Sequence, residues 1–253
     1  MEIGLVQYCP SWENKDENQK KITSLLNTFI KDEVNLLIFP EMTLTGFTMS
    51  AEKYSEKLSG ESFNYFSNIA QKFKSHIIAG IIEREDENFY NTLLHVNEDG
   101  NIVKTYRKIH PFSISSEDKY YTKGKKPVVT KIDNWKVGLS ICYDLRFPEL
   151  YRQYCKEKVE LIVVSANWSE TRIEHWKTLL KARAIENQCY VAGVNRIGND
   201  PKLVYSGFSA VIDPMGNEII SSINEEIIFC NINYKIVNDV RTKLPFLTDI
   251  TLI

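Results

Sequence analysis

The chain of 253 residues is 43% hydrophobic and 25% charged, which fits a globular protein with a sizeable core. Its formal net charge is −2 and its basic residues are scattered, so the sequence argues against a nucleic-acid groove or a membrane-binding face. No apolar run approaches the length of a membrane span, and the first residues lack the pattern of a signal peptide.

The first half of the chain alternates strand and helix patterns and ends in a hairpin. Residues 34–39 form a continuous apolar run, which is typical of a strand that is buried on both faces. The predicted elements are a strand at 3–9, a helix at 14–30, a strand at 34–39, a helix at 62–74, a strand at 76–82 and hairpin strands at 89–96 and 101–106.

The second half repeats this order of elements with little sequence identity. The predicted elements are a strand at 136–142, a helix at 147–156, a strand at 161–167, a helix at 173–187, a strand at 189–194, hairpin strands at 209–213 and 218–221, and a closing strand at 227–232. The polar tail at 235–253 is interpreted as a swapped arm at an oligomer interface or as a segment that packs on the surface.

The repeat predicts an α/β fold with an internal pseudo-two-fold axis. Each half builds one sheet with helices on one face, and the two bare faces pack together. This arrangement is a four-layer α-β-β-α sandwich in which functional residues gather at strand ends. No interdomain linker interrupts the pattern, so residues 1–253 are expected to form a single domain.

The cysteines and histidines predict neither a disulfide framework nor a metal site. The five cysteines are odd in number and widely spaced, without a C-x-x-C pair or a zinc-like cluster. They are Cys9, Cys142, Cys155, Cys189 and Cys230. We therefore expect free thiols in a reducing, cytoplasmic compartment, with no metal and no organic cofactor.

Cys142 lies where a predicted buried strand turns into a helix that begins near Pro148. Unpaired backbone N–H groups and the positive end of the helix dipole are expected to lower the pKa of a thiol in this place. The backbone N–H of Tyr143 is a candidate donor to an oxyanion. The alternative is a buried cysteine that only ends a strand.

Glu41 and Lys108 occupy comparable positions, since Glu41 ends an apolar strand and Lys108 follows the first hairpin. Together with Cys142 they are suited to amide hydrolysis: the thiolate attacks a carbonyl, the carboxylate transfers protons, and the ammonium stabilises the oxyanion. Taken singly, Glu41 is also interpretable as a helix-capping residue and Lys108 as a solvated charge. His110 is a less favoured candidate for the base.

Three blocks resemble the signatures of the nitrilase superfamily of carbon–nitrogen hydrolases. They are FPEM at 39–42, YRKIH at 106–110 and SICYDLRFPE at 140–149. The resemblance implies a catalytic Glu41–Lys108–Cys142 triad, an α-β-β-α sandwich and a homodimer. It also implies a second glutamate after the lysine block, which falls on Glu117; a solvent-exposed charge is the alternative for that residue.

Within the superfamily, the chain is most similar to the ω-amidases, which hydrolyse amides of small dicarboxylic acids such as 2-oxoglutaramate. The branch that cleaves deaminated glutathione shares the sequence after the cysteine and remains an alternative. Arg146 is a candidate ligand of the substrate carboxylate, or else a partner of Asp144 or Glu149 in a salt bridge. The predicted walls of the substrate pocket are Tyr143, Phe112, Trp168 and Tyr205.

Two functions of other classes also remain open. A redox thiol protein built on Cys142 would require a resolving cysteine, which the spacing does not suggest. A catalytically silent binding module is possible for any fold, although the three matched blocks argue against it.

Overall fold

Two six-stranded sheets lie at the centre of the computed structural model, which describes residues 1–29 and 33–252. Ile30 of the predicted first helix and Ile253 of the predicted tail lie outside the described residues. In chain order the strands are β1 Glu2–Gln7, β2 Leu36–Ile38, β3 His76–Glu85, β4 Asn88–Val96, β5 Ile102–Arg107, β6 Val129–Ile132, β7 Trp135–Ile141, β8 Leu161–Ser165, β9 Tyr190–Val194, β10 Ile197–Asn199, β11 Val204–Ser206, β12 Ser209–Ile212, β13 Glu218–Ser222 and β14 Glu226–Asn231.

Helices cover the outer face of each sheet. In chain order they are α1 Lys15–Phe29, α2 Ala51–Tyr54, α3 Glu61–Phe73, α4 Glu117–Tyr120, α5 Pro148–Lys156, α6 Ile173–Asn187 and α7 Tyr234–Lys243. Short 3₁₀ turns lie at Ser113–Ser115, Cys142–Arg146, Glu170–Arg172 and Phe246–Asp249. None of these helices is both long and apolar enough to cross a membrane.

The sheets repeat one topology, and the predicted α-β-β-α sandwich is confirmed. The first sheet has the order β14-β1-β2-β3-β4-β5 and the second β13-β12-β9-β8-β7-β6. In each half the first three strands, β1-β2-β3 or β7-β8-β9, are parallel and the following hairpin is antiparallel. The last strand of each half crosses to the other sheet: β6 pairs with β7, and β14 pairs with β1.

Alternation along β2 shows how the strands become buried on both faces. Leu36 and Ile38 belong to the core between the two sheets, whereas Leu37 and Phe39 pack towards the helices of the first half. The side chains of α1 and α3 that meet this outer face include Ile22, Leu26, Phe66 and Ile69. A continuous apolar run is therefore required, because neither face of the strand meets water.

The C-terminal segment packs on its own chain. Arg241 of α7 donates hydrogen bonds to the carbonyl oxygens of Gln188 at 3.0 Å and Val159 at 2.6 Å. Gln188 in turn donates to the carbonyl of Leu244 at 2.7 Å, and Val237 is fully buried. In the described residues the tail thus contains a helix that packs on its own chain.

Candidate active site

The residues predicted from three separate blocks meet at one edge of the sandwich. Glu41 follows β2, Lys108 follows β5 and Cys142 follows β7. The Lys108 Nζ atom lies 2.7 Å from Glu41 Oε1. Asn167 links the thiol to this pair, since its backbone N–H donates to Glu41 Oε2 at 3.0 Å and its carbonyl oxygen lies 3.9 Å from Cys142 Sγ.

The Glu41 carboxylate is held by hydrogen-bond donors from three residues in a buried setting. Lys108 and the side-chain amide of Asn91 both donate to Oε1 at 2.7 Å, and the Asn167 backbone donates to Oε2. Only 1% of Glu41 is exposed. Gly80 of β3 permits this position, because a Cβ atom there would lie 2.4 Å from the backbone nitrogen of Met42.

Glu117 is buried beside the lysine and is not the solvent-exposed charge of the alternative interpretation. Its carboxylate accepts from Lys108 Nζ at 2.8 and 3.1 Å and from the Phe112 backbone N–H at 2.5 Å. Asn91 Nδ2 also donates to Glu117 Oε1 at 2.8 Å, so one amide group bridges the two glutamates.

The electrostatics of this cluster favour a charged lysine. Burial lowers the pKa of Lys108, but the carboxylates of Glu117 and Glu41 outweigh it and raise the pKa above its ordinary value. Burial raises the pKa of Glu117, and the negative charge of Glu41 acts in the same direction, whereas Lys108 opposes it. One ammonium thus lies between two carboxylate groups.

The structure corrects our expectation of a lowered thiol pKa at Cys142. Burial and the negative charge of Glu41 raise the pKa well above its ordinary value, although Lys108 opposes the shift. The resting sulfur is therefore a neutral thiol that needs a base before it can attack. Cys142 itself is half-buried and has a φ of +44°, in the left-handed region that non-glycine residues rarely adopt.

Asp144 holds this turn, and the sequence interpretation gave it no such role. Its buried carboxylate accepts from the Ile141 backbone at 3.0 Å and from the Tyr106 hydroxyl at 2.7 Å. It also accepts from the His110 backbone at 3.0 Å and lies 2.8 Å from His110 Nδ1. His110 is therefore part of the support of the turn, and its ring stacks on Phe147 at 3.9 Å.

The Cys142 side chain lines a small cavity. Its walls are Phe47, Phe112, Cys142, Tyr143, Arg146, Asn167, Trp168, Arg172 and Leu203. The predicted wall residues Tyr143, Phe112 and Trp168 are therefore present. Tyr205 is not among these wall residues, since its side chain is buried beside Arg196 and its hydroxyl donates to Asp200 at 2.6 Å.

Arg146 faces this cavity and forms no salt bridge to Asp144 or Glu149. Its guanidinium lies 4.8 Å from the ring centre of Trp168, and its Nη2 atom lies 3.2 Å from His175 Nδ1. Sequence reasoning missed Phe47, Asn167, Arg172 and Leu203 as wall residues. All four residues lie in loops or turns, where hydrophobic periodicity gives no signal.

Neither a disulfide nor a cluster of candidate metal ligands is found in the described residues. All five cysteines are free, and Cys155, Cys189 and Cys230 are buried. In residues 1–29 and 33–252, no group of three or more histidine, cysteine, aspartate or glutamate side chains is arranged to hold a metal ion.

Fold and site together define a class of enzyme: an α-β-β-α sandwich hydrolase in which a thiol lies beside two carboxylates bridged by a lysine. Comparison with known proteins identifies the family. The carbon–nitrogen hydrolase family model matches residues 2–241, and the chain belongs to this family. The family expected from the three sequence blocks is thus confirmed.

Individual relatives cover nearly the whole chain. A 2-oxoglutaramate amidase of Bacillus subtilis (strain 168) is 33% identical over 98% of this chain and 96% of its own length. An omega-amidase of Mus musculus is 32% identical over 92% of this chain and 89% of its own length. The crystal structure of a CN-hydrolase superfamily protein from Xanthomonas campestris is 30% identical, with a TM-score of 0.93 over 100% of this chain and 98% of that one.

Proposed function

We propose that this enzyme hydrolyses the ω-amide of a small dicarboxylic acid, with 2-oxoglutaramate as first choice, to the acid and ammonia. The observation that carries the proposal is the buried Glu41–Lys108–Glu117 network beside the Cys142 thiol, in a cavity with an arginine on its wall. The relatives named 2-oxoglutaramate amidase and omega-amidase support the choice of substrate.

In the first half of the proposed reaction, Glu41 accepts the thiol proton while Cys142 Sγ attacks the amide carbon. The negative charge that develops on the carbonyl oxygen is stabilised by the Lys108 ammonium and the Tyr143 backbone N–H. The C–N bond then breaks. Glu41 returns the proton to the departing nitrogen, which leaves as ammonia, and a thioester remains on Cys142.

In the second half, a water molecule enters after ammonia has left. Glu41 takes a proton from this water, whose oxygen attacks the thioester carbon. The C–S bond breaks, the carboxylic acid product forms, and the sulfur regains a proton from Glu41. Glu117 keeps Lys108 charged and in place through its hydrogen bonds of 2.8 and 3.1 Å.

The first experiment measures ammonia release by the purified enzyme with 2-oxoglutaramate, succinamate, deaminated glutathione and propionamide. We expect the highest kcat/KM with 2-oxoglutaramate and loss of activity after alkylation of Cys142. Propionamide as the better substrate would contradict the ω-amidase assignment. Peroxide consumption without ammonia release would indicate a redox protein. The absence of both reactions would indicate a catalytically silent binding module.

Mass spectrometry of acid-quenched enzyme locates the covalent intermediate. We expect an acyl adduct on the peptide that contains Cys142. An adduct on Cys9, Cys155, Cys189 or Cys230 would overturn the assignment of the nucleophile.

Dialysis against EDTA should leave the rate unchanged, since the proposed mechanism uses no metal.

We further propose that the enzyme is a cytoplasmic homodimer. The free thiols support a reducing compartment. Light scattering coupled to size-exclusion chromatography will give the mass in solution: a value near twice the chain mass of 29.3 kDa supports the dimer, and a value near the chain mass contradicts it.

A further inference from the structure

The cavity that contains Cys142 has an unusual distribution of charge. Among the described residues, its wall has two charged side chains, and both are arginines, Arg146 and Arg172. Neither guanidinium lies within 4.0 Å of a carboxylate oxygen in residues 1–29 and 33–252. The acidic neighbour Glu174 instead pairs with Lys177 at 2.9 Å.

Trp168 fixes the spacing of the two arginines. Its indole ring packs under the Arg146 guanidinium at 4.8 Å, and its Nε1–H donates to the Arg172 carbonyl at 2.7 Å. The Arg172 guanidinium lies 5.4 Å from the ring centre of Phe112, another wall residue. Aromatic side chains therefore hold both cations against the cavity wall.

Most hydrogen-bond donors of these guanidiniums are not used within the described structure. An arginine has five N–H donors in a planar fork. Each guanidinium makes one contact with another side chain. Arg146 contacts His175 at 3.2 Å, and Arg172 contacts Thr171 at 3.4 Å. Both forks thus retain donors for a bound molecule.

The two positive charges at this site disfavour each other. Burial lowers the pKa of Arg146, and the positive charge of Arg172 lowers it further because like charges repel. A bound anion would relieve this repulsion, whereas a neutral ligand would not. The pocket therefore favours a ligand that carries a negative charge.

We propose that Arg172 is a specificity-determining residue that binds, together with Arg146, the carboxylate end of the amide substrate. This inference rests on the proposed function and deepens it, since it assigns the selection of anionic amides to two side chains. Arg146 comes from the turn after the nucleophile, and Arg172 comes from the turn before α6. Two guanidinium groups from different elements can both donate hydrogen bonds to one carboxylate.

The kinetic test compares 2-oxoglutaramate with propionamide. Arg172→Met should raise KM for 2-oxoglutaramate about 10- to 100-fold with little change in kcat, because a charge-assisted contact is lost equally from ground state and transition state. The kcat/KM for propionamide should change by less than about twofold. Arg172→Lys should give an intermediate KM, since it keeps the charge and loses the fork.

A matched control removes a positive charge from the neighbouring helix. The Lys177 ammonium lies 4.1 Å from the Phe208 ring, and neither residue is on the cavity wall. Lys177→Met should leave KM for both substrates unchanged. A rise in KM equal to that of Arg172→Met would assign the effect to general electrostatics and overturn the inference.

A second readout does not depend on turnover. Cys142→Ala should bind 2-oxoglutaramate in a calorimeter, and addition of Arg172→Met to this variant should weaken binding by the same factor as KM. The double variant Arg146→Met/Arg172→Met should lose less than the product of the single effects, because both side chains bind one carboxylate.

Failure of the inference and failure of the proposed function give different results. If the unmutated enzyme does not prefer 2-oxoglutaramate to propionamide, the proposed function is wrong. If that preference exists but Arg172→Met leaves KM and Kd unchanged, Arg172 does not select the substrate and the proposed function stands. If Arg172→Met lowers kcat/KM equally for both substrates, Arg172 has a structural role and the inference is also overturned.

Discussion

At the scale of single residues, the strained conformation of Cys142 is central to the site. A non-glycine residue at a φ of +44° costs on the order of 1–3 kcal/mol, and the surrounding contacts must maintain it. Asp144 supplies those contacts through the Ile141 backbone and the Tyr106 hydroxyl. The thiol is thereby fixed beside the carboxylate that we propose as its base.

Replacement of the proposed base is the most direct test of the mechanism. Glu41→Gln should lower the rate of thioester formation about 10²–10⁴-fold, because the neutral thiol loses its proton acceptor. Rapid-quench measurements under single-turnover conditions report this step without interference from product release. Thermal unfolding of the same variant should show that it remains folded.

The matched control is Glu98→Gln, which removes an exposed carboxylate from the turn between β4 and β5. This variant should retain the full rate. If Glu41→Gln keeps more than half of the unmutated rate, Glu41 is not the base.

At the scale of secondary-structure elements, the close approach of β3 to the turn after β2 positions Glu41. The Thr43 backbone donates to the Gly80 carbonyl at 2.8 Å, and the Gly80 backbone donates to Thr43 Oγ1 at 3.0 Å. A side chain at Gly80 has no room, because its Cβ would also lie 2.9 Å from the Glu41 Cα atom. The glycine in a buried strand is thus a requirement of the site.

Gly80→Ala should therefore damage both stability and catalysis. The added methyl group overpacks the core and should lower the free energy of unfolding by about 1–3 kcal/mol. It should also lower kcat, since the Glu41 backbone must move to admit the new atom. Urea unfolding and steady-state kinetics at a temperature where the variant is folded measure the two effects.

Gly193→Ala in β9 separates the two effects. Its Cβ would meet side-chain atoms of Leu180 and Trp176 at 2.7 and 2.8 Å, away from the Glu41 backbone. We expect lower stability with kcat unchanged. An unaltered kcat in Gly80→Ala would show that this contact does not position the base.

At the scale of the whole molecule, a buried histidine joins the two sheets. His95 of β4 is fully buried, and its Nδ1 atom lies 2.7 Å from Thr130 Oγ1 of β6 in the other sheet. Its Nε2 atom lies 2.9 Å from His76 Nδ1. Burial, together with His76, lowers the pKa of His95 to about 3, so the ring is neutral in the folded protein.

Stability should consequently fall in acid. Below about pH 6.5, His95 gains a proton in the unfolded chain but not in the folded protein, and this difference persists down to the folded pKa of about 3. The contribution of His95 to the free energy of unfolding should decrease as pH falls. At pH 4 it should be about 3 kcal/mol lower than at neutral pH. Urea unfolding measured at several pH values gives this slope.

His95→Gln should flatten the slope, because the amide can contact Thr130 without titrating. The control His175→Gln removes an exposed histidine and should leave the slope unchanged. An equal slope in His95→Gln and the unmutated protein would assign the acid sensitivity to other groups.

Much of the fold was predictable because its patterns are local. The continuous apolar run at β2 predicted a buried strand, and the helix at Ile173–Asn187 has the predicted bounds. The short strand β6 was missed, since four residues give little periodicity. The exchange of β6 and β14 between sheets was also missed, because pairing partners far apart in sequence leave no mark in either strand alone.

For the site, the sequence by itself determined which residues were candidates, and tertiary structure decided their state. The motifs selected Glu41, Lys108 and Cys142 because each follows a strand pattern with suitable chemistry. Burial of the thiol beside a carboxylate reversed the expected direction of its pKa shift, and burial turned Glu117 from a polar-loop residue into a lysine partner. Charge interaction and desolvation depend on distances through space, which no local spacing encodes.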